Sequence, residues 1–272
     1  MTTSDHDLSI VRWARGKPSK QEDQVSVEAP LQITLRHGKS GQRTTSKLAM
    51  TMRTPGQDFL LASGYLFTEN LINHRKDIIQ MRHLSDHEVL VELHEGVFID
   101  LSAQKRNTYV NSSCGICGKD SLSDIKATIP YLLSPNIPSV SYPTICGWSA
   151  LLDKAQEQFK ATGGTHAAAL IMKDTLITIQ EDVGRHNALD KLIGYALENL
   201  TLPLREAAIV VSSRASFELV QKALMAGVPM LASLGAATSM AIEMAAENNM
   251  TLIGFLKSHQ FNVYTHPERV CK

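Results

Sequence analysis

The chain has 272 residues, of which 43% are hydrophobic, with 27 basic and 27 acidic side chains and a formal net charge of zero. That length supports one large or two ordinary domains with a genuine core, and the balanced charge gives no footprint for non-specific nucleic-acid binding. The N-terminal stretch MTTSDHDLSIVRWARGKPSK has no apolar secretory core, and no run reaches the roughly 18 apolar residues of a membrane span, so a cytoplasmic chain with reduced thiols is expected.

Residues 1–24 are polar and read as an irregular, flexible tail. The segment VSVEAPLQITL over 25–35 has strand character, interrupted by Pro30, which belongs at a sheet edge or a bend. A turn follows at 36–39, then a second alternating stretch from Thr44. After Pro55-Gly56, Asp58 can cap a helix in which Leu61, Tyr65 and Leu66 share one side and Gly64 costs a little stability. Short strands are expected near 78–83, 88–93 and 97–101. Residues 25–130 thus read as a small α+β domain that carries a CxxC loop at 114–117. Pro130, Pro135, Pro138 and Pro143 then forbid a long helix or central strand, which marks 131–147 as a linker.

The second half changes period. Trp148, Leu151, Leu152, Ala155 and Phe159 follow helical spacing up to Gly163-Gly164. A hairpin is expected from HAAALIMKD and TLITIQED, followed by a helix over 187–199. AAIVVSS is a nearly all-apolar strand, as expected where both faces of a sheet are covered. Alternating helices and strands complete the chain through TLIGFLK and FNVYT. Residues 148–272 therefore read as a layered α/β domain with a mixed sheet, and the whole chain as α+β.

In such sheets ligands bind beyond the carboxyl ends of strands, where loops enter helices. The segments TGGTH (162–166), EDVGRHNALDK (181–191) and SSRAS (212–216) fit that position. Gly184 permits a tight turn or a close ligand approach. Arg185 and Arg214 offer planar donor forks suited to phosphate. His186 can donate, accept or carry a proton, and Asp182 can accept from a base, a ribose or a ring nitrogen. Asp190-Lys191 reads as an exposed pair. No Walker motif is present and no GxGxxG follows a strand.

Cys114 and Cys117 form the motif CGICG in a polar stretch. A structural zinc site would need a second pair of ligands at convincing spacing, which the chain lacks. A dithiol oxidoreductase would place CxxC at a helix start after a strand, and the flanks show no such pattern. A thiolate that accepts sulfane sulfur and presents it as a persulfide is the third chemistry, and the flanking glycines would let that loop swing between donor and acceptor. Cys146 and Cys271 read as bystanders.

The combination of VEAPLQI (27–33), MRTPGQDFLLASGYLFTENLI (52–72), CGICGKDSL (114–122), ATGGTHAAAL (161–170), EDVGRHNALDKLIG (181–194) and SSRASFELVQKALMAGVP (212–229) closely resembles the formate dehydrogenase accessory sulfurtransferases, the FdhD/NarQ family. The resemblance implies that sulfur is taken from a cysteine desulfurase and passed to the bis-molybdopterin guanine dinucleotide cofactor of molybdenum or tungsten, which activates formate dehydrogenase. It further implies a C-terminal domain with a cytidine deaminase-like fold, a homodimer and a cytoplasmic address. Carried onto this sequence, Cys114 and Cys117 become the persulfide thiols, with Cys114 the main carrier. Gly163, Gly164, Thr165, His166, Asp182, Gly184, Arg185, His186 and Arg214 become the lining of a guanine-dinucleotide pocket that GDP would mimic. No resident metal is implied. The alternative is a zinc-stabilised adaptor without transfer activity. Ser213 and Ala237 depart from the family's usual glycine and proline.

Overall fold

The computed structural model describes residues 4–97, 99 and 129–272. Cys114, Cys117 and most of the strand expected over 97–101 lie outside the described residues. The first two strands, β1 (Asp5–Ala14) and β2 (Lys17–Ser26), pair antiparallel in full register. Arg15 and Gly16 close them with positive φ (50° and 76°), the geometry of a two-residue hairpin turn. The irregular tail expected over 1–24 is thus corrected. The sequence signal was weak because both faces of these strands carry polar residues and Arg-Gly is a poorer turn marker than Asn-Gly.

The next four strands, β3 (Ala29–His37), β4 (Thr44–Arg53), β5 (Ile78–Ser85) and β6 (Glu88–Leu93), form one sheet in the order β4-β3-β6-β5. Pro30 therefore lies in a central strand, yet near its start. There it faces Met52 of β4, while pairing with β6 begins only at Gln32, so the absent amide interrupts no central ladder. Helix α1 (Asp58–Thr68) follows. Asp58 is not its cap: Gln57 precedes the helix in a left-handed conformation, and the Asp58 carboxylate instead takes two hydrogen bonds from buried Arg53 at 2.8 and 3.0 Å.

The proline-rich segment ends sooner than expected. After β7 (Val140–Ser141), helix α2 (Tyr142–Ala155) starts with Pro143 in its first turn, where a missing amide costs nothing. Ser141 Oγ accepts from Thr144 N. Arg269, fully buried, holds the preceding stretch by donating to the carbonyls of Ser134 and Ile137. The expected helix through Phe159 is in fact two, because the chain breaks at Gln156 before α3 (Glu157–Thr162).

Strands β8 (His166–Met172), β9 (Thr175–Asp182), β10 (Ala207–Val211), β11 (Met230–Ser233), β12 (Thr251–Lys257) and β13 (Gln260–Thr265) form a six-stranded mixed sheet, ordered β13-β12-β11-β10-β8-β9. Its β10, β11 and β12 run parallel, while β8, β9 and β13 pair antiparallel with their neighbours. Helices α4 (Arg185–Asn199), α5 (Phe217–Met225) and α6 (Ser239–Glu247) cover one face. Trp148 and Leu152 of α2 cover the other, against Ala208, Val210 and Ala232. Coverage on both sides explains why β10 is apolar at every position. The molecule is thus an α+β protein with a mixed sheet.

One hydrophobic cluster runs through both halves, joining Leu31, Ile33, Leu61 and Leu66 to Leu189, Leu192, Ile193 and Val220. The seam is made by α1 and α4 lying backbone to backbone. A Cβ on Gly64 would stand 1.8 Å from the Asp190 carbonyl oxygen, and one on Gly194 would stand 2.0 Å from that of Leu60. Gly64 weakens α1 as an isolated helix and is required for its packing.

Candidate functional site

Beyond the carboxyl ends of β9, β10 and β11, where β8 starts, lies a cleft of about 370 Å³. Gly163, Gly164, Thr165 and His166 line it as expected. Ser212, from the expected segment SSRAS, lines it too, as do Asp153, Gln156, Phe159 and Leu234, which the sequence pattern does not single out for the site. Phe159 follows the helical spacing of Trp148 and Leu152, yet beyond the break at Gln156 it is 44% exposed. The Gln156 side chain, 5% exposed, reaches the cleft wall as a carboxamide able both to donate and to accept.

Glu181 organises this wall. Its carboxylate accepts from the amides of Gln158 and Phe159, at 2.9 and 2.8 Å, and so caps the start of α3 with a negative charge. It also accepts from Thr165 Oγ1 at 2.9 Å. Gly163 closes α3 in the left-handed region (φ 68°), a conformation glycine adopts without strain. The next turn is thereby held open to the cleft.

Asp182 does not line the cleft. It is fully buried, and its oxygens take Lys191 Nζ at 2.7 Å, Gly184 N at 2.8 Å, Asn187 Nδ2 at 3.0 Å and Thr54 N at 3.2 Å. No acceptor capacity is left for a base or ribose, so Asp182 shapes the turn that carries Gly184 and Arg185. Gly184 is the residue before α4, at φ −100°. It needs no left-handed freedom, although a Cβ there would approach Asn187 Nδ2 to 3.0 Å. Asp190 and Lys191, expected as an exposed pair, are both buried and point apart: Lys191 to Asp182, and Asp190 to Lys222 at 3.0 Å.

Arg185 and His186 open α4 beside His166. Burial, then the charges of Arg185 and His186, lower the His166 pKa from its ordinary value, so its ring is a neutral donor and acceptor at pH 7. His186 Nε2 stands 3.8 Å from Glu218 Oε2 on α5. That ring, with the residue's own backbone amide, holds the Glu218 carboxyl down at about 2. Arg214 is exposed on the loop that also carries Ser212. Ser213 does not obstruct the cleft, because its buried hydroxyl turns onto the Arg214 carbonyl at 3.0 Å. Cys146 is buried in α2 and Cys271 is exposed in β14 (Val270–Cys271), and neither lines the cleft.

The first half braces this loop system. Thr54 donates its amide to Asp182, and its hydroxyl accepts from Val183 N at 3.0 Å. Its carbonyl accepts from Lys191 at 3.1 Å, and the Met52 carbonyl accepts from Asn187 at 2.7 Å. The segment MRTPG thus sets the position of EDVGRHNALDK. Sequence reasoning found both segments but not their contact, because the residues lie more than a hundred positions apart.

The fold and site define the class: a mixed-sheet α+β protein with a polar cleft at the strand ends, and with Arg185 and Arg214 at neighbouring strand-to-helix passages. Comparison with known proteins makes it particular. The model of the FdhD/NarQ family matches residues 26–271. The chain is 41% identical over 272 residues to a sulfur carrier protein FdhD of Streptomyces coelicolor, covering 96% of this chain and 94% of that one. It is 42% identical over 264 residues to the protein of that name from Sulfolobus acidocaldarius, covering 97% of each. A crystal structure described as a formate dehydrogenase accessory protein from Desulfotalea psychrophila shares the fold, with a TM-score of 0.74 at 18% identity over 99% of this chain and all of that one. The chain belongs to the FdhD/NarQ family.

Proposed function

We propose that this chain is a sulfurtransferase that serves formate dehydrogenase, carrying sulfur from a cysteine desulfurase to the molybdenum or tungsten bis-molybdopterin guanine dinucleotide. The observation that carries this reading is the family match over residues 26–271, which spans both the CGICG motif and the cleft. In the first step the Cys114 thiolate attacks the terminal sulfur of the desulfurase persulfide. One S–S bond breaks, another forms, and the desulfurase cysteine leaves as thiolate. In the second, Cys117 attacks the inner sulfur of the Cys114 persulfide, closing a Cys114–Cys117 disulfide and releasing hydrosulfide to the metal. A thiol reductant then restores the pair.

The cleft suits the nucleotide end of the recipient. About 370 Å³ is room enough for a nucleobase with its sugar. Phe159 offers a stacking face, and the Asp153 carboxylate and Gln156 carboxamide offer hydrogen bonds to a guanine edge. Arg185 and Arg214 would meet the phosphates. Membership of the family also supports a homodimer. No described helix is long and apolar enough to cross a membrane. We read the six-stranded half as cytidine deaminase-like in fold, supported by an antiparallel β8–β9 pair leading into parallel β10, β11 and β12.

Two measurements test this reading. Incubation with a cysteine desulfurase and cysteine should add the mass of one sulfur atom, removable by cyanide, to the peptide carrying Cys114 and Cys117. Failure to label either thiol would sink the carrier role. Calorimetry with GDP should show binding that weakens by about ten- to a hundredfold in Arg185→Ala/Arg214→Ala, the loss expected for charge-assisted phosphate contacts. Unchanged affinity would move the nucleotide elsewhere.

A further inference from the structure

Strands β8 and β10 carry the cleft at one end and a second cavity at the other. His166 at the start of β8 and Ser212 just after β10 line the cleft. Ile171 near the end of β8 and Ala208 near the start of β10 line the second cavity, of about 220 Å³. A strand rises about 3.3 Å per residue, so the two stand about 20 Å apart along β8 and one small molecule cannot occupy both.

The floor of the second cavity is apolar. Trp148 of α2, Ile171 and Ala208 belong to the hydrophobic cluster on that face of the sheet, and Val140 packs against it. Trp148 is 1% exposed, and its indole Nε1–H has no hydrogen-bond partner among the described residues. Buried donors in folded proteins are met by protein, water or ligand, so this one marks the floor as incomplete without a guest.

The rim is charged. Lys173, Asp174 and Glu206 all line the cavity, and all three are exposed. Lys173 and Asp174 form the β8–β9 turn, in which Met172 pairs with Thr175. Both take left-handed backbone, with φ 46° and 63°. Turns of this kind favour Asn-Gly, and a lysine with positive φ is uncommon. The turn accepts a poorly suited residue and thereby sets a cation and a carboxylate side by side on the rim.

We propose that this cavity binds a small α-amino acid with an apolar side chain, held as the zwitterion. Its carboxylate meets the Lys173 ammonium and supplies the acceptor that the Trp148 N–H lacks. Its ammonium meets the carboxylates of Glu206 and Asp174, and its side chain covers Ile171, Ala208 and the indole. A simple amine would leave Lys173 without a counter-charge, and a simple carboxylate would leave Glu206 and Asp174 without one. The volume lies below the roughly 300–1,000 Å³ of sites for drug-sized ligands, which excludes a nucleotide.

The chain has two tryptophans, and Trp13 is exposed on the β1–β2 hairpin. In full-length Trp13→Phe the emission therefore reports Trp148 alone. Titration with L-leucine should give a saturable change in that emission, with one molecule bound per chain by calorimetry. Lys173→Met and Glu206→Gln, both at exposed positions, should each weaken binding by about tenfold or more, the loss expected for a charge-assisted contact. 3-Methylbutylamine and 4-methylpentanoate, which are leucine without its carboxylate or without its ammonium, should each bind about tenfold more weakly or worse. Saturating GDP should leave the calorimetric affinity for leucine unchanged. The proposal is overturned by the absence of a saturable response to leucine, by unchanged affinity in either variant, or by equal binding of the amine or the acid. Displacement of leucine by GDP would put the amino acid in the cleft and overturn it as well.

Discussion

The seam between α1 and α4 and the cleft at the head of α4 share a helix yet are built by opposite means. In the seam, glycines bring two backbones into contact and buried charges are fully paired. Lys222 reaches Asp190, Thr68 and Glu69, and these carboxylates hold its pKa above the ordinary value despite the burial that would lower it. In the cleft, polar groups such as Asp153 and Gln156 line an open surface, and Arg214 stands exposed on the neighbouring loop. The difference teaches where each motif acts. MRTPG and the helical part of EDVGRHNALDK hold the site still, and only the turn residues and the wall of α3 are free to meet a ligand.

The largest effect should come from the seam. Gly64→Leu or Gly194→Leu places atoms where a carbonyl oxygen already stands, and should cost more than about 4 kcal/mol, read as loss of folded protein at ordinary temperature. Next, Lys222→Met strands Asp190 in the core and should cost about 3–5 kcal/mol in urea unfolding, with partial recovery on adding Asp190→Asn. If either change left stability intact, the seam would not be the rigid part.

The cleft should respond in the opposite sense. Phe159→Ala should leave stability within about 0.5 kcal/mol while weakening GDP binding by about tenfold through lost stacking. Loss of stability without loss of binding would reverse the comparison. The smallest effect is electrostatic. The Glu218 carboxyl sits below its ordinary 4.5, at about 2, because of the His186 ring beside it. The stabilisation from this depressed pKa is complete above about pH 4.5 and is lost as pH falls towards 2. Glu218→Gln should therefore flatten the fall of Tm over that window, by a contribution on the order of 1 kcal/mol.

The second half was the more legible. Its central strands β10 and β11 are buried at every position and its helices are periodic, so the run from β8 to β13 could be read in order. The placements that failed each turned on a distant partner. Asp182 looks like a ligand acceptor until Thr54 and Lys191 are seen to occupy it. Asp190-Lys191 looks exposed because the two charges are met by distant partners rather than by each other, Asp190 by Thr68 of α1 and Lys222 of α5, Lys191 by Asp182 of β9. Phe159 looks like the continuation of a single helix because the Glu181 carboxylate, which caps a new helix after Gln156, has no local signature. The hairpin was hidden for a different reason: it buries so little that no periodic apolar face marks it.

The central claim is that sulfur held on the CGICG thiols reaches the metal cofactor. The most direct test is activation of a cofactor-loaded but unsulfurated formate dehydrogenase by this protein after persulfide loading. Wild type should restore formate oxidation, Arg185→Ala/Arg214→Ala should do so far less well, and Cys114→Ser should not do so at all. Equal activation by wild type and Cys114→Ser would contradict the account.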